Sequence, residues 1–193
     1  EEKAVTNAED ALAGARDIIA EWVNEDQQAR EKMRELFAEK GLIRSKVVGG
    51  KEAHGVKFKD YFDWEEPVKQ APSHRILAMR RGENEDIVSL TIAPGEGDAA
   101  AILEQQFVTG SNAASEQVRT AIQDGYKRLL SPAMETEIRT ITKERADAEA
   151  IVVFVKNLRE LLLAAPLGAK NVLALDPGFR TGCKLVCLDR QGK

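Results

Sequence analysis

The chain has 193 residues, 43% hydrophobic and 31% charged, with a formal net charge of −4 and a sequence pI of about 5.4. This is enough apolar material for one or two domains, and the acidic balance argues against tight, autonomous binding of a phosphate backbone. Aromatics are few at 5%, and there are only two cysteines, Cys183 and Cys187. Two cysteines are too few for a zinc site, and with no basic and apolar leader the composition reads as a cytoplasmic protein with reduced thiols. No apolar run approaches the ~20 residues of a membrane span. The first residue is Glu1, not Met, so the chain is expected to be part of a longer polypeptide.

Most of the chain reads as helix. Thr6 and Glu9 form a capping-box pattern, followed by Leu12, Ala15, Ile19 and Trp22 at helical spacing. Asn24 is the expected cap of a second helix, with Ala29, Met33, Leu36 and Phe37 inward and Gly41 as its stop. Leu42 to Val48 reads as extended, and a further helix is expected to carry Phe58, Tyr61 and Phe62, with Trp64 also on predicted helix. Trp22, Tyr61 and Trp64 are expected to pack in the core. Pro72 and Ser73 open a short helix that Gly82 is expected to end, and Ile87 to Ile92 is expected to be an extended segment of β-favouring residues. Helix resumes at Ala99 to Phe107 and again from about Ser115 to Leu130.

Ser131 and Pro132 read as the N-cap and first residue of a new helix. From Pro132 to about Ala164 there is neither glycine nor proline. Met134, Ile138, Ile141, Ala148, Val152, Val155 and Leu162 form one stripe; Ile151, Phe154, Leu158 and Leu161 form a second in the C-terminal half. The first half is therefore expected to bury one side and the second to be wrapped by neighbours. At 1.5 Å per residue such a helix is roughly 50 Å long.

After Ala165 to Ala169, a four-residue apolar run, Val172 to Leu175, leads into Asp176-Pro177-Gly178, and a second run, Leu185 to Leu188, is closed by Asp189 and Gly192. Asp-Pro-Gly by itself is an ordinary turn sequence. Here proline holds Asp176 extended at the expected C-terminal end of a buried strand, where open α/β sheets place ligand-contacting groups. That pattern is how a ribonuclease H-like fold begins. Two-metal phosphodiester hydrolysis needs several carboxylates. Asp176 supplies one, Asp189 lies at the far end of the returning strand, and no further strand follows. Asp176 is thus at most a vestigial catalytic candidate, with no metal, no cofactor and no enzymatic activity expected.

The cationic candidates are His74, Arg75, Arg80 and Arg81, which would either grip phosphates or pair with Glu83, Glu85 and Asp86. Gly178, Arg180 and Lys184 of the C-terminal loop complete the candidate nucleic-acid contacts. Neither His54 nor His74 has a second ligand at metal-binding spacing.

DPGFRTGCKLVCLDRQGK, the preceding VFVKNLRELLLAAPLGAKNVLAL, the stretch KFKDYFDWEEPVKQAPSHRILAMRRGENEDIVSLTI and ALAGARDIIAEW together resemble the bacterial Tex family of transcription accessory proteins. The resemblance covers essentially the whole chain. It implies a largely helical, RNA-binding factor of transcription regulation, related to a eukaryotic elongation factor. It also implies a YqgF (ribonuclease H-like) domain not regarded as an active nuclease, with helix-hairpin-helix and S1 modules that bind RNA or DNA elsewhere in the protein.

The expected fold is mainly α: a multi-helix scaffold with a long central helix, followed by a C-terminal β-hairpin that begins a ribonuclease H-like α/β domain. Residues 1–168 form the Tex-like central helical region and 169–193 the first two strands of the YqgF-like domain. The leading function is a non-catalytic scaffold. The alternatives are part of a metal-dependent, resolvase-like nuclease or a docking module for the transcription machinery. A hairpin without its sheet exposes unpaired edges, so residues after about Gly168 are expected to be disordered or paired with another molecule, as in a strand-exchanged dimer.

Overall fold

A computed structural model describes residues 5, 7–95, 97–178 and 182–193. It divides into two compact units, Glu1–Ile151 and Val152–Lys193. The chain is mainly α, with six α-helices and five strands among the described residues.

In the first unit, α1 (Ala8–Glu25) is capped by Asn7, whose side chain accepts from the Asp10 amide at 2.9 Å. Thr6 lies outside the described residues. Asp26, not Asn24, caps α2 (Gln27–Lys40), because α1 keeps its hydrogen-bond ladder as far as the bond from Asp26 N to Trp22 O. The Asp26 carboxylate then accepts from Ala29 N at 2.7 Å. The α1 stripe also differs from expectation. Ala20 and Val23 are buried, whereas Trp22 is 69% exposed and Leu12 is also exposed. Close approach decides the face: a Cβ on Gly125 would stand 2.9 Å from Ala20 Cβ, so α1 meets its neighbouring helix through its smallest residues.

The inner face of α2 is as expected, with Ala29, Met33, Leu36 and Phe37 buried. Gly41 ends it at φ −62°, so no left-handed conformation requires a glycine there. The requirement is space, since a Cβ would fall 2.2 Å from Phe37 O.

Three antiparallel strands in the order β2-β1-β3 follow: β1 (Leu42–Val47), β2 (Asp63–Pro67) and β3 (Val88–Ala93). The expected helix around Phe58 is a 3-10 helix, Val56–Tyr61, and Trp64 lies on strand β2. Buried Gly55 sits against Ile87, and the bond from Val47 N to Phe62 O draws the chain back alongside β1. α3 (Ser73–Asn84) does not stop at Gly82. That glycine is buried inside the helix, where a Cβ would lie 3.0 Å from Val88 and 3.3 Å from Phe58. The helix ends instead at Glu85, and Asp86 turns left-handed at φ +54°.

α4 (Asp98–Phe107) and α5 (Ala113–Gly125) lead into a π-helical turn, Tyr126–Leu130, and then α6 (Ser131–Leu163). Ser131 is not an N-cap. Its φ of −62° and ψ of −47° are helical and its amide donates to Tyr126 O, so α5 runs through to α6 without a break. Pro132 explains the widened turn: proline lacks an N–H and its ring would clash with the carbonyl four residues back, which a single π-bulge accommodates.

On α6 the buried stripe is Met134, Ile138, Thr142 and Ala146, one residue per turn. Ile141 is exposed, and so are Ile151, Val152, Phe154, Val155, Leu158, Leu161 and Leu162. The expectation that neighbours wrap the second half is therefore not met. The largest fully buried side chains of the core include Phe37, Met33, Ile43, Ile76, Met79 and Leu103.

In the second unit, β4 (Val172–Gly178) and β5 (Gly182–Leu188) form an antiparallel hairpin. Asp176 is not the residue that leaves the strand. β4 continues through Pro177 to Gly178, leaving Asp176 within the ladder opposite Lys184. The Asp189 carboxylate accepts from the amides of Gln191 and Lys193, closing the expected turn at Gly192.

Candidate nucleic-acid interface

The three arginines of α3 face different fates. Arg75 pairs with Glu66 on β2, and its guanidinium carbon lies 4.7 Å from the centre of the Trp64 ring. That arrangement fixes the arginine against the sheet through a partly buried ion pair and a cation–π contact. Arg80 reaches Glu83 at 3.4 Å, one turn along the same helix. Arg81 is different: its side chain is 77% exposed, with a long 3.8 Å contact to Glu85. Glu85 also takes Lys57 from the 3-10 helix. His74 is exposed.

Glu83 is the centre of a larger arrangement. Arg139 on α6 donates to it from both terminal nitrogens, at 2.6 and 3.0 Å, and donates to the Leu90 carbonyl at 2.8 Å. Glu135 accepts from the Ile92 amide at 3.1 Å and Glu83 from the Leu90 amide at 3.4 Å. Side chains of α3 and α6 thus occupy the hydrogen-bonding groups on the outer edge of β3, which would otherwise be open to another strand. Arg145 on α6 donates to the carbonyls of Val68 and Ala71 in the same manner. Arg30 and Arg34 on α2 grip Glu137 of α6 at 3.0 and 2.5 Å. The Arg34 hydrogen bond, more than the charge of Arg34 or the contacts from Arg30, holds the Glu137 carboxyl below the usual range, against the opposing effect of burial.

On the hairpin, Gly178 pairs with Gly182 and Lys184 with Asp176, all exposed. Arg180 lies outside the described residues. Arg75, Arg80 and Arg81 belong to the first unit and Gly178 and Lys184 to the second. Among the described residues no group of three His, Cys, Asp or Glu side chains is placed to hold a metal ion. Cys183 and Cys187 are free and exposed. Among the described residues no helix is long and apolar enough to cross a membrane. Two clefts on the first unit, of about 250 and 370 Å³, have floors that include Phe37 and Ile138 in one and Leu36 and Ile102 in the other.

The edge-closing side chains of α6 are what sequence reasoning missed. Arg139 and Glu135 sit four residues apart, a spacing that reads as a solvent-exposed helical ion pair. Only the placement of β3 beside α6 gives them their second role.

The first unit is thus a helical body in which α2, α3 and β3 are tied to the long helix by ion pairs and hydrogen bonds. Residues 1–154 match the family described as Tex central region-like, and the chain belongs to that family. It is 39% identical to "Protein tex" of Bordetella pertussis over its whole length, and 42% identical to "Uncharacterized protein YdcI" of Bacillus subtilis. It is also 37% identical over 98% of its length to "Transcriptional accessory protein Tex" of Neisseria gonorrhoeae. A human relative, "S1 RNA-binding domain-containing protein 1", is 27% identical over 96% of the chain. The chain spans 27% of the Bacillus relative and 26% of the Bordetella and Neisseria proteins, about a quarter of their length.

Proposed function

We propose that this chain is the non-catalytic structural centre of a Tex-family, nucleic-acid-binding transcription accessory protein. One observation carries the reading: Arg139, Arg145, Arg30 and Arg34 all act inside the fold, joining α2, α3, β3 and the loop before α3 to the long helix. Arg75 and Arg80 are engaged in the same way with Glu66 and Glu83. Cations held by carboxylates are poor partners for phosphates, because each new contact must first break an existing one. Of the candidate phosphate contacts this leaves Arg81, Gly178 and Lys184, which are exposed, and Arg180, which lies outside the described residues. Grip on RNA or DNA comes from the S1 and helix-hairpin-helix modules of the whole protein. The hairpin after Gly168 is the opening of its YqgF-like domain.

Asp176 supports the non-catalytic reading. It lies within the strand ladder opposite Lys184, and it belongs to no group of three His, Cys, Asp or Glu side chains placed to hold a metal ion among the described residues. Incubating the chain with labelled single- and double-stranded RNA and DNA in magnesium or manganese should leave every substrate intact. Cleavage by the chain that Asp176→Asn abolishes would overturn the proposal.

A further inference from the structure

α1 has two apolar faces, and only one is used. Ala20 and Val23 are buried in the first unit. On the other side, Ala8, Ala11, Ala15, Ile18 and Trp22 recur at alternating steps of three and four residues, and every one is exposed. With 3.6 residues per turn, the other four lie within about 40° of Trp22 around the helix axis. Ile18 is 53% exposed and Trp22 69%. Scattered exposed apolar residues are ordinary. A seam of five at heptad-like spacing, ending in an exposed tryptophan, is the pattern that receives another helix.

The flanks of the seam say which helix. Glu21 and Glu25 are exposed along one side, with Asp17 beyond them held by Arg128 at 2.9 Å. The other flank carries Leu12 and Ile19. An antiparallel second copy would set acidic flank against acidic flank. A parallel copy would set it against Leu12 and Ile19. Self-association therefore leaves the carboxylates without a counter-charge, and a nucleic acid would be repelled. A helix with lysine or arginine beside its apolar stripe satisfies both the seam and the flank. The alanines let its backbone come close, and Trp22 supplies the large anchor typical of interface hot spots.

We propose that this face of α1 is a docking surface for a basic amphipathic helix of a partner protein. It is independent of the nucleic-acid reading above and can fail without it.

The test is fluorescence anisotropy of a labelled synthetic peptide of about three heptads, with leucine at the seam positions and lysine at the flanking ones. A matched peptide with glutamate at the flanks is the control. The chain should bind the lysine peptide saturably, at roughly micromolar Kd, and not the glutamate peptide. Trp22→Ser and Ile18→Ser should each weaken binding by about tenfold or more while leaving the circular dichroism unchanged, since both side chains are exposed. The double variant Glu21→Lys, Glu25→Lys should move the preference toward the glutamate peptide. Absence of saturable binding, equal binding by Trp22→Ser, or indifference to the charge swap would overturn the proposal. So would concentration-dependent self-association in light scattering that Trp22→Ser abolishes, which would assign the seam to a second copy.

Discussion

Arg139 on α6 clasps Glu83 on α3 with both terminal nitrogens, and the same guanidinium donates to the Leu90 carbonyl on the edge of β3. A single side chain thereby joins three elements. Arg139→Ala leaves Glu83 and the strand-edge carbonyl without their partner in a partly buried place, and is expected to cost about 1–3 kcal/mol of stability. Urea denaturation measures it, with Arg81→Ala, on an exposed side chain, as a control expected within about 0.5 kcal/mol of the parent.

Gly125 is fixed by its contact with Ala20. A Cβ there would stand 2.9 Å from Ala20 Cβ and 3.1 Å from Ala20 Cα, so backbone and not a flexible side chain must give way. Gly125→Val should destabilise by about 1–3 kcal/mol even though glycine is a poor helix former. An unchanged urea midpoint would show that α1 and α5 can separate without cost.

Phe154 is expected to tolerate charge. The apolar richness of the second half of α6 suggests that a buried aspartate there would unfold the chain, but Phe154 is 65% exposed. Phe154→Asp in this chain should shift stability by no more than about 0.5 kcal/mol. A large fall in the circular-dichroism melting temperature would mean that the side chain is covered.

Glu137 gives a pH signature. Its folded pKa is held below the ordinary carboxylate value, chiefly by the Arg34 hydrogen bond. A depressed folded pKa contributes stability that is present above the unfolded value of about 4.3 and is lost as pH falls through the folded one. Glu137→Gln should therefore destabilise at neutral pH, and the difference from the parent should shrink as the pH is lowered below about 4. A difference that stays constant with pH would remove the charge from the explanation.

The helical character and the inward face of α2 could be read from periodicity, because Ala29, Met33, Leu36 and Phe37 repeat at helical spacing and are buried. β1 was visible as an extended stretch and β3 as a run of β-favouring residues. β2 was not, since Asp63-Trp64-Glu65-Glu66-Pro67 has no apolar alternation and becomes a strand only by pairing with β1. The face of α1 was misjudged for a related reason. Apolar spacing marks two seams there, and the one that packs is chosen by the match of Ala20 to Gly125, a long-range contact. The continuous path from α5 to α6 was hidden by Ser131-Pro132, a pair that starts helices in most settings and here sits behind a π-helical turn.

The candidate site was legible only in part. The sequence near Arg80 and Arg81 suggested pairing with Glu83 and Glu85, and those contacts are present at 3.4 and 3.8 Å. The partner of Arg75 was out of reach, because Glu66 lies on the strand that periodicity did not reveal. Asp176 was expected at a strand end, and the ladder instead carries the strand two residues further to Gly178.

On the proposed reading, the arginines paired with carboxylates in the first unit hold its own elements together and are not a surface for nucleic acid. Titrating the chain against labelled single-stranded RNA and DNA at low salt, and again at higher salt, tests it most directly. No saturable binding in the micromolar range is expected at either salt. Micromolar or tighter binding that weakens with added salt would contradict it and make Arg81 or the hairpin loop a true phosphate contact.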